Sequence, residues 1–430
     1  MTTERGPSSL MDLWALGAQT FAKQAELLWK IPGLAASADP IQALWQGAMK
    51  EYEADLSGLP PSAFEVDLRP LGEAWRRVAM GIADEREQRM VKRFTDAMAV
   101  KARLGAEYYA DPERTPVRPT PRERVLHEGA VELYRYDTGL EPPSGPPVLI
   151  VYSVINRSYI LDLQEGCSFV RHLLDQGLDV WMIEWTGKAG SGTHLEDYVD
   201  GVGVCVDAIR AARGCESVAL FGHCIGGTLA AMYASLHPER VCRLLALTAP
   251  FRSPQEGVVA TITDPKMFDV DAVVDGFGHM PAKLIRYTFM ALKPYYELLK
   301  WKMFVESLDR DDAMSRFVVV DKWANDNVDI PAGVFRSFIR EVFESGRLAA
   351  AQTQLKGQRV DLGAITCPVL NVVGEVDWIV PPDSARPLDE QAPDARFVAM
   401  PGSHLSLILD PRLHDRWTVL SDFLRGDGAA

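Results

Sequence analysis

The positions of the hydrophobic residues divide the chain into two parts with different periodicities. Before about residue 110, apolar residues recur at helical intervals, for example at Trp14, Phe21 and Leu28, which are seven residues apart. Residues 1–118 are therefore predicted to form a helical N-terminal segment. Four prolines between residues 111 and 125 exclude a regular helix, and this stretch is predicted to be a linker.

After the linker, short apolar runs alternate with helical patterns. Buried strands are predicted by the runs PVLIVYSV and LDVWMIEW, further strands by SVALF and VCRLLALTAP, and two more strands near the end by ITCPVLNVVGEVD and ARFVAMPG. Such alternation predicts right-handed βαβ units and a mostly parallel sheet in residues 119–430, the predicted catalytic domain. A long helical stretch at about 251–350 interrupts the alternation, and we expect it to form a cap insertion.

Composition narrows the class of protein. The chain has 430 residues, of which 47% are hydrophobic and 24% charged, as in soluble globular proteins with a substantial core. A formal net charge of -14 argues against nucleic-acid binding, which needs a basic surface. The start of the chain does not resemble a signal peptide, and no apolar run approaches the roughly 20 residues that span a bilayer. We therefore expect a cytoplasmic protein without a transmembrane segment.

The six cysteines are scattered, without CxxC pairs or cysteine and histidine at zinc-binding spacing. This pattern is typical of reduced thiols, so no metal site and no disulfide framework are predicted. The sequence also contains no phosphate-binding glycine loop and no dinucleotide fingerprint, so no cofactor is predicted.

One cysteine stands in a pattern that indicates chemistry. The sequence GHCIGG, residues 222–227, follows a predicted strand and precedes a predicted helix, as in the nucleophile elbow. In that turn Cys224 is lifted above the sheet at a helix N-terminus, which favours a thiolate, and the amide of Ile225 is one oxyanion donor. A buried cysteine is usually a small apolar residue, and the other five keep that interpretation.

The elbow predicts an α/β-hydrolase fold, in which a carboxylate and then a histidine follow later strands. Asp377 and His404 occupy those turns, in VVGEVDWIVPP and PGSHLSLIL. Glu375 and Asp383 are rival carboxylates, and His223 is interpreted as structural, with its side chain directed away from Cys224. The second oxyanion donor is expected after PVLIVYSV, at Val154 or Ile155, and we favour Ile155.

From about residue 120 to the end, the chain resembles the polyhydroxyalkanoate synthases, the polyester synthases of bacterial storage granules. The stretches that carry the resemblance are VYSVINRSYILDLQEGCSFVRHLLDQGLDVWMIEW, LEDYVDG, GHCIGG, WANDNVDIPAGVFRSFIRE, VVGEVDWIVPP and PGSHLSLIL. The resemblance implies that Cys224, Asp377 and His404 are the nucleophile, acid and base of a synthase that polymerises (R)-3-hydroxyacyl-CoA and releases CoA. It also implies a homodimer and association with the granule surface. The spacing resembles the shorter synthases that work with a separate partner subunit.

Several features depart from the family pattern. The sequence TGKAGSG stands where the family usually has a glycine and proline turn, Trp378 where a histidine is frequent, and Ser403 where a second glycine is common. The N-terminal segment matches no family element and is assigned to granule, partner or dimer contacts, and the CoA-binding residues stay unidentified. Two alternatives are left open: a polyester depolymerase or acyl-CoA thioesterase with the same triad, and a catalytically silent granule-associated homologue.

Overall fold

A computed structural model describes residues 69–96, 117–136, 145–186, 193–257, 259–260, 263–266, 268–292, 300, 311–344 and 346–426. The chain forms two compact units, one of Met1–Val117 with Arg286–Asn325 and one of Arg118–Ile285 with Asp326–Ala430. The helices predicted before residue 69 lie outside the described residues. Within the first unit, the described residues after 68 are helical at Arg69–Ala79 and at 85–96.

The second unit contains an eight-stranded sheet. Its strands are β1 Arg122–Glu128, β2 Val131–Tyr136, β3 Pro147–Val151, β4 Asp179–Trp185, β5 Val218–His223, β6 Val241–Leu247, β7 Val369–Gly374 and β8 Ala395–Met400. They are arranged in the order β1-β2-β4-β3-β5-β6-β7-β8. β2 pairs antiparallel with β1 and β4, and every other neighbouring pair is parallel. The predicted mostly parallel sheet is confirmed.

The prediction of a linker is wrong for its last residues, because β1 begins at Arg122. This strand forms a hairpin with β2, and most of its side chains are exposed at the edge of the sheet. Edge strands carry charged residues that discourage pairing with other chains. The strand therefore lacks the apolar run by which the central strands could be recognised.

The described residues of the two units also form helices, labelled here in chain order. Besides the helix at 85–96, they include α1 Arg69–Ala79, α2 Phe169–Asp175, α3 Leu195–Arg213, α4 Ile225–Leu236, α5 Val270–Phe277, α6 Ala282–Leu292, α7 Asp311–Ala324, α8 Ala332–Phe338, α9 Pro382–Ala385, α10 Pro387–Gln391, α11 Ser406–Leu409 and α12 Trp417–Arg425. Helices α3 and α4 pack on each other and on the sheet, and α4 is buried along almost its whole length. Strands β3 and β5 are buried at every position.

The described part of the stretch between β6 and β7 contains helices α5 to α8 and a π-helical turn at Ile339–Glu344. A short antiparallel pair, His279–Met280 with Ile330–Pro331, also lies in this stretch. Among the described helices, none is both long enough and apolar enough to cross a bilayer.

Candidate active site

Cys224 lies in the tight turn between β5 and α4, with φ at 54° and ψ at −131°. A positive φ is strained for a residue with a side chain, and such strain persists only where the surrounding structure enforces it. The Cys224 N–H donates to the carbonyl of Leu247 at 2.9 Å, and its own carbonyl accepts from the N–H of Gly227 at 2.8 Å. The predicted nucleophile elbow is thus present in the backbone.

The glycines of GHCIGG are required by close backbone contacts. A Cβ on Gly222 would lie 2.3 Å from Cα of Gly227, and a Cβ on Gly226 would lie 2.0 Å from the carbonyl oxygen of Val151. Both separations are far below any ordinary contact between atoms that are not bonded. The start of α4 therefore packs directly on the C-terminal end of β3, and the residues after β3 begin beside the elbow.

Asp377 lies in the turn after β7 and is buried. Its Oδ1 accepts hydrogen bonds from the backbone N–H groups of Ile379 and Val380, both at 2.9 Å. These two donors fix the orientation of the carboxylate and leave Oδ2 for another partner. The rival carboxylates do not take this position: Glu375 is exposed, and Asp383 accepts from the N–H of Gln255 at 2.7 Å.

His404 lies in the turn after β8, and its Nδ1 is 2.8 Å from Oδ2 of Asp377. The Cys224 thiol is the other hydrogen-bond partner of the His404 ring. Backbone hydrogen bonds fasten the two turns together, from Glu375 N–H to the carbonyl of Met400 at 2.8 Å and from Val376 N–H to the carbonyl of Gly402 at 3.1 Å. The structure therefore brings the three predicted triad residues into one hydrogen-bonded chain.

The electrostatics of the chain favour a protonated imidazole. Burial by itself lowers the pKa of His404, but the Asp377 carboxylate and the Cys224 sulfur outweigh it and raise the pKa to about 10. A positive imidazolium between two acidic groups is the arrangement that supports a thiolate nucleophile. Cys224 is 6% exposed, so the sulfur is largely shielded from bulk water.

The predicted oxyanion donors lie at the two sides of the contact between β3 and α4. Ile225 is the first residue of α4, directly after the elbow. Ile155 lies four residues after β3. Among the described residues its N–H reaches only Ser153 Oγ, at 3.5 Å, which is longer than an ordinary hydrogen bond. Its carbonyl accepts from the N–H of Val328 at 3.1 Å and from Nδ2 of Asn327 at 3.4 Å.

His223 is closer to the triad than the sequence interpretation implied. Its ring stacks on Tyr152 with centroids 5.4 Å apart, and it lies 5.6 Å from the His404 ring. It is 1% exposed, and neither ring nitrogen has a hydrogen-bond partner within the described part of the chain. Burial, and then the neighbouring His404, hold its pKa well below the usual value, so His223 is a neutral ring packed beside the base.

All six cysteines are free thiols. Burial raises the pKa of Cys205 and of Cys367 to about 12, so these two are unreactive at neutral pH, in agreement with their predicted packing role. Within the described residues, no group of three or more histidine, cysteine or acidic side chains is arranged to hold a metal ion.

Comparisons with known proteins agree with this geometry. Residues 146–411 match the family model described as alpha/beta hydrolase fold. The chain is 36% identical over 313 residues to a protein named poly(3-hydroxyalkanoate) polymerase subunit PhaC from Allochromatium vinosum, a match that covers 70% of this chain and 87% of that protein. A protein of the same name from Synechocystis sp. is 33% identical, and the match covers 68% of this chain and 81% of that protein. Another from Haloarcula marismortui is 31% identical, and the match covers 78% of this chain and 74% of that protein.

Proposed function

Because this chain belongs to the poly(3-hydroxyalkanoate) polymerase family, an acyltransferase family with the α/β-hydrolase fold, we propose that it polymerises (R)-3-hydroxyacyl-CoA into polyester and releases CoA. The chemistry proceeds through a covalent acyl-enzyme on Cys224. The observation that carries this proposal is the single hydrogen-bonded chain from Asp377 through His404 to Cys224.

Acylation begins when the Cys224 sulfur attacks the carbonyl carbon of the acyl-CoA thioester. His404 takes the thiol proton, and Asp377 holds the imidazole so that the nitrogen facing the sulfur is the one that accepts it. The tetrahedral oxyanion is stabilised by the N–H groups of Ile225 and Ile155. When the intermediate collapses, the bond to the CoA sulfur breaks, and His404 returns the proton to the departing thiolate.

A thiol suits this step because the product is another thioester. Exchange between two thioesters of similar energy keeps the acyl group activated for chain extension, whereas a serine ester would lose much of that energy. Extension then requires the 3-hydroxyl of one acyl unit to lose its proton to His404, the base within reach of the sulfur, and to attack the carbonyl carbon of another unit's thioester. The new ester bond forms as the C–S bond of that thioester breaks, and the released thiolate takes the proton from His404. The low exposure of Cys224 limits the competing attack by water.

The test is CoA release from (R)-3-hydroxybutyryl-CoA by the purified full chain, with the products separated into insoluble polyester and free acid. We expect polymer and CoA from the wild type and none from Cys224→Ala. The matched control is Cys215→Ala, which removes a partly exposed thiol from the same chain and should leave activity unchanged.

Two other outcomes would reject this proposal. Free acid without polymer would assign the triad to a depolymerase or thioesterase. Failure to form any acyl adduct on Cys224, measured by intact mass, would assign the chain to the silent granule-associated homologues.

The partner and location are further parts of the proposal. Residues 1–118 are proposed to contact granules, a partner subunit or a second copy of the chain, and residues 119–430 to form the catalytic domain. The working form is proposed to be a homodimer in the cytoplasm at the granule surface, with no cofactor beyond the CoA of the substrate. Sedimentation with isolated granules, before and after deletion of residues 1–68, would test this role; equal retention would count against it.

A further inference from the structure

The loop after β3 is fastened to a segment far away in the sequence. This loop, residues 153–157 and here called the oxyanion loop, carries Ile155. It contacts residues 326–328, here called the return segment, where the chain re-enters the second unit after Arg286–Asn325. Asn156 and Asn327 form an antiparallel bridge, and the carbonyl of Ile155 accepts hydrogen bonds from Val328 N–H and Asn327 Nδ2.

A buried carboxylate of the return segment holds the far end of the same loop. Asp326 is 4% exposed. Its Oδ2 accepts from the hydroxyl of Tyr159 at 3.0 Å, and its Oδ1 lies 3.4 Å from Nε of Arg157. Tyr159 is itself buried, so its bond to the carboxylate is protected from water and is a charge-assisted one.

These contacts restrain the backbone on one side of Ile155 and leave its N–H available. Two donors fix the Ile155 carbonyl, and the bridge at Asn156 fixes the next residue, so the planar peptide between them has little freedom. Among the described residues, the Ile155 N–H has only the 3.5 Å contact to Ser153 Oγ. This N–H belongs to the preceding peptide, which is joined to the fixed peptide through Cα of Ile155. The fixed carbonyl therefore restrains the N–H through one residue of backbone and reduces the reorganisation needed when an oxyanion forms.

We propose that Asp326 and Asn327 are positioning residues that hold the oxyanion loop so that the Ile155 N–H can stabilise the tetrahedral oxyanion. The proposal rests on the proposed function, because it assigns the Ile155 N–H to the acyl-transfer step. It predicts that changes in the return segment slow acyl transfer without disturbing the thiolate and its base.

Two reactions of Cys224 separate these effects. Acylation by p-nitrophenyl acetate passes through a tetrahedral oxyanion, whereas alkylation by iodoacetamide is a direct displacement at a saturated carbon and forms none. Both rates are measured on the full chain by mass spectrometry of the Cys224 peptide. Turnover of (R)-3-hydroxybutyryl-CoA is followed in parallel, with kcat and KM determined separately.

For Asp326→Asn and Asn327→Asp we expect acylation to fall about 10- to 100-fold, since removal of one whole oxyanion donor typically costs about 100- to 1000-fold. Alkylation should stay within about twofold of the wild type, and the loss of turnover should appear in kcat. Asn327→Ala should lose less than Asn327→Asp, because the aspartate places an acceptor against the carbonyl of Ile155 whereas alanine leaves the Val328 bond intact. For Tyr159→Phe we expect a loss of acylation rate between the losses of Asn327→Ala and Asn327→Asp.

The matched control is Tyr134→Phe, which removes a tyrosine hydroxyl that donates to a carboxylate, Glu132, at 2.8 Å on strand β2. It should change neither rate. Unchanged acylation in Asp326→Asn and Asn327→Asp would overturn the proposal, and so would parallel loss of acylation and alkylation, since that would mean general damage to the site. If the wild type is acylated but makes no polymer, the proposed function fails, and the comparison of the two rates still decides the role of the return segment.

Discussion

Replacement of Asp377 by asparagine should disable the base by changing its tautomer while leaving the shape of the site intact. The backbone N–H groups of Ile379 and Val380 both donate to Oδ1 of Asp377. In Asp377→Asn the amide oxygen must accept from these two N–H groups. If the amide were turned over, its NH₂ group would face two other hydrogen-bond donors. The amide NH₂ then faces Nδ1 of His404, which must become an acceptor.

A neutral His404 imidazole carries one proton, which can lie on only one of its two ring nitrogens. If Nδ1 of His404 accepts from the asparagine, the proton of the neutral imidazole lies on the nitrogen that faces Cys224, and that nitrogen cannot take the thiol proton. A misplaced tautomer of this kind costs about 10⁴-fold in kcat. This corresponds to about 5.4 kcal/mol of transition-state stabilisation, at about 1.36 kcal/mol for each tenfold.

The assay is the rate of CoA release at saturating (R)-3-hydroxybutyryl-CoA, compared with the free energy of unfolding in denaturant. We expect a loss of about 10⁴-fold in kcat while the variant still unfolds in a single cooperative transition. The matched control is Asp383→Asn, because Asp383 is the rival carboxylate in the same region and accepts from a backbone N–H of Gln255. Retention of a tenth or more of the activity in Asp377→Asn, or an equal loss in Asp383→Asn, would refute this reasoning.

Two further predictions concern packing and pH. Gly226→Ala would place its Cβ 2.0 Å from the carbonyl oxygen of Val151, so we expect a loss of about 3 kcal/mol or more in denaturant unfolding. Its control, Gly276→Ala in α5, meets nothing within 4 Å and should be neutral or stabilising by up to about 1 kcal/mol; similar behaviour of the two would contradict the packing argument. The pKa of His404, raised to about 10, means that its stabilising contribution is complete below about pH 6.5 and is lost as the pH rises towards 10. The stability difference between the wild type and His404→Gln should therefore narrow over this range, and a constant or widening difference would show that the histidine is not held as an imidazolium.

The central sheet could be predicted because the apolar runs that form its strands recur along the sequence. Buried parallel strands carry continuous apolar runs, and five such runs fall on β3 to β7, whereas the run ARFVAM falls on the edge strand β8, in which only Met400 is buried. The edge strand β1 could not be found in this way, since most of its residues are exposed and it contains no continuous apolar run. His223 illustrates a second limit, because a ring that lies between Tyr152 and His404 depends on two turns that meet only in the folded chain.

The parts of the candidate site differ in how far apart their determinants lie along the chain. The elbow depends on glycines within a few residues of Cys224, and the turns that carry Asp377 and His404 are placed by the order of the strands, so the sequence pattern contains both. The position of the Ile155 N–H depends instead on a contact between two irregular segments, in which the carbonyl of Ile155 meets the side chain of Asn327, 172 residues further on. Neither segment has a helical or strand periodicity from which the contact could be predicted. In the proposed mechanism, generation of the nucleophile is therefore set by features that sequence reasoning can reach, whereas the proposed stabilisation of the oxyanion by the Ile155 N–H depends on a long-range contact. This separation is why acylation and alkylation of Cys224 should respond differently to changes in the return segment.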